Sequence, residues 1–145
     1  RIEKGFITHG EIHGRVTAFD IGMERMVSAK KDCIGKTLSN RVGLLNEDRE
    51  QLMGFKPVGA VKQLTGGAHL YNEGDEALTE FNQGYLTSVA FSPTVGHFLA
   101  QGFVRGGQAR NGERMRMVDH VREIETIVEV CDPVFFDPKG DRTRG

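Results

Sequence analysis

The stretch Arg114-Met115-Arg116-Met117-Val118-Asp119-His120-Val121-Arg122-Glu123-Ile124-Glu125-Thr126-Ile127-Val128-Glu129-Val130 decides how the chain folds. In its second half Ile124, Thr126, Val128 and Val130 fall on one face of an extended backbone while Glu123, Glu125 and Glu129 fall on the other, the period-two alternation of a half-buried strand. In its first half Met115 and Met117 alternate with Arg114 and Arg116, and Asp119-His120 separates the two runs. Folded back as a hairpin, the runs set arginine against glutamate across the outer face of the ladder.

Working outward, Tyr85 to Phe91 and Phe98 to Arg105 form a second pair of apolar runs, joined by Ser92-Pro93-Thr94-Val95-Gly96, whose proline and glycine mark a tight connection. Gln51 to Val58 closes on Pro57, which favours an edge strand or a strand end. Arg105 to Gly112 is a glycine-rich turn. Strands this closely spaced, with no helical pattern between them, predict an antiparallel barrel or sandwich over residues 49 to 136. Nineteen of the 145 residues are glycine, about twice the usual share of ~7%, as turns between many short elements require.

The first third reads differently. Short apolar stretches over residues 1 to 16 are broken by Gly5, Gly10 and Gly14, and a strand is expected over residues 2 to 8. Val16, Phe19, Met23 and Met26 or Val27 then recur at helical spacing, with Thr17 or Asp20 placed to cap the start. Leu38, Val42 and Leu45 put an apolar stripe on a second helix that ends at Asn46-Glu47-Asp48. The fold class is therefore mainly β, α+β overall: a strand and helices over residues 1–48, then a β domain over 49–145.

With 19 Lys and Arg against 20 Asp and Glu, the net charge of −1 gives no field that would hold nucleic acid or an anionic membrane. Apolar runs fall far short of a membrane span. Cys33 and Cys131 have neither the spacing nor the histidines of a zinc site, and read as reduced thiols of a cytoplasmic protein. The chain opens Arg1-Ile2-Glu3-Lys4-Gly5-Phe6 without an initiator methionine or a signal-peptide pattern, which suggests a piece of a longer polypeptide.

Candidate sites each have an ordinary alternative. His9-Gly10-Glu11-Ile12-His13 has two histidines four apart, but the glycines break the helix that a metal face needs, leaving solvated loop histidines. Asn72-Glu73-Gly74-Asp75-Glu76 lacks the ligand order of a calcium loop and reads as an acidic surface turn. Gly66-Gly67 and Gly106-Gly107 precede no Lys-Ser/Thr ending and are turns. Ser88, Ser92 and the cysteines have no activating pattern around them, and Glu3, Glu11 and Asp20 are carboxylates available in principle for acid–base work. No catalytic residue and no metal ligand follow from these patterns.

Arg1-Ile2-Glu3-Lys4-Gly5-Phe6 resembles the Arg-Leu-Glu-x-Gly segment of the folate-dependent aminomethyltransferase superfamily, which includes the glycine-cleavage T-protein. Asp32-Cys33-Ile34-Gly35-Lys36 is similar to that family's Asp-Phe-Ile-Gly-Lys, with Cys33 in place of Phe. Gly84-Tyr85-Leu86-Thr87-Ser88 with Ser92-Pro93-Thr94 is similar to its Gly-x-(Val/Leu)-Thr-Ser…Ser-Pro-Thr hairpin. Ala100-Gln101-Gly102-Phe103-Val104-Arg105 and the run Val130 to Gly140 are most similar to the C-terminal end of the α subunits of heterotetrameric sarcosine oxidases. The resemblance implies that residues 1–48 are the tail of an aminomethyltransferase-like folate-binding domain and residues 49–145 its C-terminal β-barrel. It implies a parent that demethylates sarcosine oxidatively to glycine, uses tetrahydrofolate with FAD, FMN and NAD, and assembles with β, γ and δ subunits. It places the general base and the main pterin contacts upstream of Arg1, so that the 145 residues alone are expected to be inactive. Pro133-Val134-Phe135 corresponds to a Pro-x-Phe segment near the folate, which makes Phe135, Phe136 and Asp137 candidates for lining that pocket. A parent of the aminomethyltransferase or dimethylglycine-oxidising kind, and a barrel that only docks subunits, are the alternatives.

Overall fold

Six strands, β1 (Glu50–Val58), β2 (His69–Asn72), β3 (Gly84–Ser92), β4 (His97–Arg105), β5 (Arg114–Asp119) and β6 (Ile124–Cys131), close into a barrel in a computed structural model that describes residues 1–60 and 62–144. Every neighbouring pair is antiparallel, in the order β1-β4-β3-β2-β5-β6 with β6 returning to β1. The predicted hairpins are both present. In β5–β6, Met115 lies opposite Val128 and Met117 opposite Thr126, so their side chains enter the interior together. On the outer face Arg114 lies opposite Glu129, and Arg116 reaches diagonally to Glu125 at 2.8 Å. In β3–β4 the register shifts between Leu86 and Ser88, an irregularity that turns the following hydroxyls outward.

The interior is filled by Met53 and Phe55 from β1, Leu70 from β2, Leu86 from β3, Ala100 and Val104 from β4, and the inward residues of β5 and β6. Pro57 sits where the sequence predicts a strand end: β1 pairs with β4 only as far as Phe55, then continues along β6. Closure of the barrel leaves it no open edge. β2 has no counterpart among the predicted strands, because four residues are too short to show a period.

Residues 1–48 form no strand. The expected strand over 2–8 is a single 3-10 turn, Ile2–Lys4, closed by Gly5 in the left-handed conformation. The expected helix from Val16 shrinks to a 3-10 turn, Glu24–Met26: Thr17 and Asp20 make the reciprocal side-chain bonds of a helix start, but Gly22 turns left-handed directly after them. The second helix is one turn, α1 (Lys36–Ser39), which begins after left-handed Gly35 and is separated by extended Arg41 from a 3-10 turn at Val42–Leu44. A last turn of helix, α2, covers Asp141–Arg144.

A clasp of chain ends on the barrel wall and the adjoining cleft

Residues 1–20 lie against the outer wall made by β3, β4 and the start of β1, and three carboxylates hold them there. Glu3 accepts the Ser92 hydroxyl at 2.5 Å. Glu11, fully buried, accepts the Ser88 hydroxyl at 2.5 Å and the Thr8 backbone N–H and hydroxyl at 2.7 and 3.0 Å. Asp20, also buried, receives Arg49 Nε at 2.9 Å and Nη2 at 2.6 Å, in addition to Thr17. Ser88 and Ser92 are therefore hydrogen-bond donors to carboxylates and are not poised as nucleophiles.

The Ser92 and Thr94 hydroxyls hold the Glu3 carboxyl below the usual range. Burial by itself would raise Glu11, but the hydrogen bonds from Ser88, Thr87 and Thr8 outweigh it and the carboxyl is lowered. Burial likewise opposes ionisation of Asp20, and Arg49 with Thr17 overcomes it. Carboxylates this firmly ionised are weak bases near neutral pH. Their role is to anchor the segment.

Of the two histidines, His13 packs edge-on against Phe103 at 5.7 Å and faces the Tyr85 hydroxyl at 3.3 Å, while His9 is exposed. Glu11 between them points into the wall, and the three do not converge. Among the described residues, no group of three or more His, Cys, Asp or Glu is placed to hold a metal ion. The Asn72–Glu76 stretch is a turn tied internally by Asn72 to Asp75 at 2.8 Å, and Glu73 pairs with Arg114 at 3.2 Å.

The C-terminal segment meets the N-terminal one. Phe135 and Phe136 N–H groups both donate to the Glu3 carbonyl, at 3.0 and 2.9 Å. Lys4 Nζ donates to the Asp137 carbonyl at 2.7 Å and pairs with its carboxylate at 3.1 Å. Burial would raise the Asp137 carboxyl, yet Lys4 and the Arg142 and Asp141 N–H groups bring it below the usual range. Phe135 lies over Gly54 of β1: a Cβ there would come within 2.7 Å of the Phe135 ring and 2.5 Å of the Asp132 carbonyl, so only glycine admits this approach. Phe136 is covered by the Arg142 guanidinium, 5.0 Å from the ring centre.

The clasp borders two hollows. A cleft of about 450 Å³ is walled by Ile7, Ile21, Met23, Leu52 and Val134 and rimmed by Glu24, Gln108, Asn111 and Asp132. A groove of about 240 Å³ contains the Phe135 ring with Lys56, His97 and Cys131. Burial pushes the Cys131 thiol up to about 12, so it is inert. The structure thus separates the three predicted lining residues: Phe135 faces the smaller groove, and Phe136 and Asp137 are engaged in holding the segment. Gln108 and Asn111 of the turn after β4 were missed by sequence reasoning, since polar residues in a glycine-rich turn carry no periodic signal.

Among the described residues, no helix is long and apolar enough to cross a membrane. Residues 50–137 match the model of the glycine cleavage T-protein C-terminal barrel domain. The chain is 41% identical over 143 residues to "Sarcosine oxidase subunit alpha" of Rhizobium meliloti (strain 1021), an alignment covering 98% of the chain and 14% of that protein. It is 36% identical to the protein of the same name from Corynebacterium sp. (strain P-1), over all of this chain and 15% of that one. It spans about a seventh of the length of these relatives. The crystal structure of glycine cleavage system aminomethyltransferase T from Bartonella henselae shares the fold, with a TM-score of 0.65 at 21% identity over 95% of this chain and 37% of that one. With more than half its length matched by the family's model and the closed six-stranded barrel in place, the chain belongs to the family of the glycine cleavage T-protein C-terminal barrel domain.

Proposed function

We propose that the chain is the C-terminal region of a sarcosine oxidase α subunit, with residues 1–48 the tail of the folate-binding domain and 49–145 the barrel that closes it. The observation that carries this reading is the 41% identity to such a subunit across 98% of the chain. The parent converts sarcosine, dioxygen and water to glycine, formaldehyde and hydrogen peroxide, or passes the one-carbon unit to tetrahydrofolate in place of releasing formaldehyde. The parent complex holds FAD, FMN and NAD, contains β, γ and δ subunits, and works in the cytoplasm. The 145 residues alone are catalytically silent: the buried carboxylates of the clasp are ionised and engaged, Ser88 and Ser92 are tied up as donors to them, and the Cys131 thiol is held protonated by burial.

Tetrahydrofolate fits this region in part. Phe135 offers an aromatic face in the smaller groove, and the 450 Å³ cleft beside Pro133 and Val134 is rimmed by hydrogen-bonding groups suited to a flat heterocycle. Asp137 has its charge matched by Lys4, so we assign Phe136 and Asp137 to positioning Phe135 rather than to direct contact. Purified parent enzyme supplied with sarcosine tests the reading: peroxide should form in step with glycine. Aminomethyl transfer to tetrahydrofolate without peroxide would replace it with the aminomethyltransferase alternative.

A further inference from the structure

The chain contains five asparagines, and four of them have their side chains engaged. Asn40 Nδ2 donates to the Lys36 carbonyl at 2.7 Å, and Asn46 Oδ1 accepts the Asp48 N–H at 3.0 Å. Asn72 donates to Asp75 at 2.8 Å and accepts from Arg110, and Asn82 accepts the Gly84 N–H at 3.0 Å. Asn111 is the exception: it is exposed on the turn before β5, at the rim of the 450 Å³ cleft, and among the described residues its side chain makes no hydrogen bond. It is also the one asparagine followed by glycine, since the others precede Arg41, Glu47, Glu73 and Gln83. Gly112 stands at φ +85 with nothing within 4 Å of where a side chain would begin, so no Cβ shields its backbone nitrogen.

We propose that Asn111 is a site of spontaneous covalent modification, converted to aspartate and isoaspartate by its own neighbour. The Gly112 backbone nitrogen, having given its proton to a base in solution, attacks the Asn111 Cγ. The bond from Cγ to the side-chain nitrogen breaks, ammonia leaves with a proton returned by the solvent, and a cyclic imide remains. Water then adds to one of the two imide carbonyl carbons and breaks that carbon's bond to the ring nitrogen: hydrolysis at Cγ gives aspartate, and hydrolysis at the backbone carbon gives an isoaspartyl link. Nothing is oxidised or reduced. The folded turn restrains the reaction, because the Gly112 N–H donates to the Val130 carbonyl at 2.8 Å and the Glu113 N–H to the Arg110 carbonyl at 2.9 Å. Swinging the nitrogen onto Cγ from Asn111 at ψ 127° gives up the first bond and loosens the second. Either product adds a carboxylate to a rim that already carries Glu24 and Asp132, in a cleft whose described lining has no Lys, Arg or His. The modified cleft repels an anionic ligand that the unmodified one admits.

The test ages the full-length parent in mildly alkaline buffer at physiological temperature, once folded and once in urea, and maps peptides by a method that separates asparaginyl, aspartyl and isoaspartyl forms. Asn111 should convert before Asn40, Asn46, Asn72 or Asn82. The folded protein should trail the urea-unfolded one by between about tenfold and a hundredfold, the restraint expected of two backbone hydrogen bonds that open locally. Earlier conversion at another of these asparagines overturns the proposal. So does a suppression of about a thousandfold or more, which would mean that Asn111 reacts only through global unfolding. An Asn111→Ser parent, aged in the same way, should yield no acidic form of the peptides spanning residues 106–130. Persistence of that form would place the new carboxylate elsewhere, at Gln108, and overturn the assignment.

Discussion

The barrel and the first twenty residues are ordered by opposite means. The barrel encloses apolar side chains such as Phe55, Leu70, Met117 and Val128, all without exposure, inside a ladder that has no open edge. Residues 1–20 bury little apolar surface beyond Ile2 and are fastened to the outer wall by Glu3, Glu11 and Asp20. A barrel can thus carry a second layer without extending its core, provided that each anchoring carboxylate finds donors enough to stay ionised. If this contrast holds, damage to the interior should unfold both layers together, and damage to a carboxylate should loosen the outer layer while the barrel persists.

The largest effect belongs to the interior. Phe55→Ala removes a ring that is wholly enclosed, and should lower unfolding free energy by about 3–5 kcal/mol in urea titration. Far-UV and tyrosine signals should lose stability together, since Tyr71 and Tyr85 lie in the same ladder as the deleted ring.

Next comes the outer layer. Asp20→Ala leaves Arg49 without its paired carboxylate and the Thr17 donors unmatched, and should cost about 3 kcal/mol. The Asp20 carboxyl is lower folded than unfolded, so its contribution is fully present above the ordinary carboxylate range and disappears as pH falls through and below it. Asp20→Asn should therefore destabilise the protein near neutrality and flatten its acid sensitivity below about pH 5. An unchanged acid slope in Asp20→Asn would remove this residue from the anchoring set.

These two layers also explain what could be seen in the sequence. Period-two alternation exposed β5 and β6 because strands with one buried face must repeat every second residue, and two apolar runs joined across Pro93 and Gly96 exposed the β3–β4 hairpin. The outer layer was illegible for the reason that makes it interesting: buried Glu11 and Asp20 look like surface residues in a sequence, and their donors Ser88 and Arg49 lie 77 and 29 positions away. The apparent helical spacing from Val16 misled because the left-handed Gly22 breaks the backbone just after the Thr17–Asp20 cap, and the stripe Leu38–Val42–Leu45 has no local core to face. The motifs carrying the family resemblance pointed to the right barrel, whereas the seating of Phe135 and Asp137 depends on Gly54 and Lys4, contacts between residues far apart in the sequence.

Gly54→Ala tests that junction with a smaller effect. The added methyl would meet the Asp132 carbonyl and the Phe135 ring, and relief by displacing the C-terminal segment should cost about 1–3 kcal/mol. Hydrogen exchange should quicken at the Phe135 and Phe136 amides, which lose the Glu3 carbonyl, while the amides of β5–β6 stay protected.

The smallest expected change is on the face that first announced the fold. Arg116 and Glu125 cross the β5–β6 hairpin at 2.8 Å, as alternating charge predicts, yet half of the Glu125 side chain is in water. Solvent screens such a pair, and Arg116 keeps its second acceptor, the Asp75 carbonyl, when the carboxylate is removed. Glu125→Ala should accordingly cost only about 0.5 kcal/mol, and raising the salt to about 1 M should erase most of that difference. A loss several times larger would mean that the outer charges, and not the enclosed methionines and valines beneath them, hold this hairpin in register.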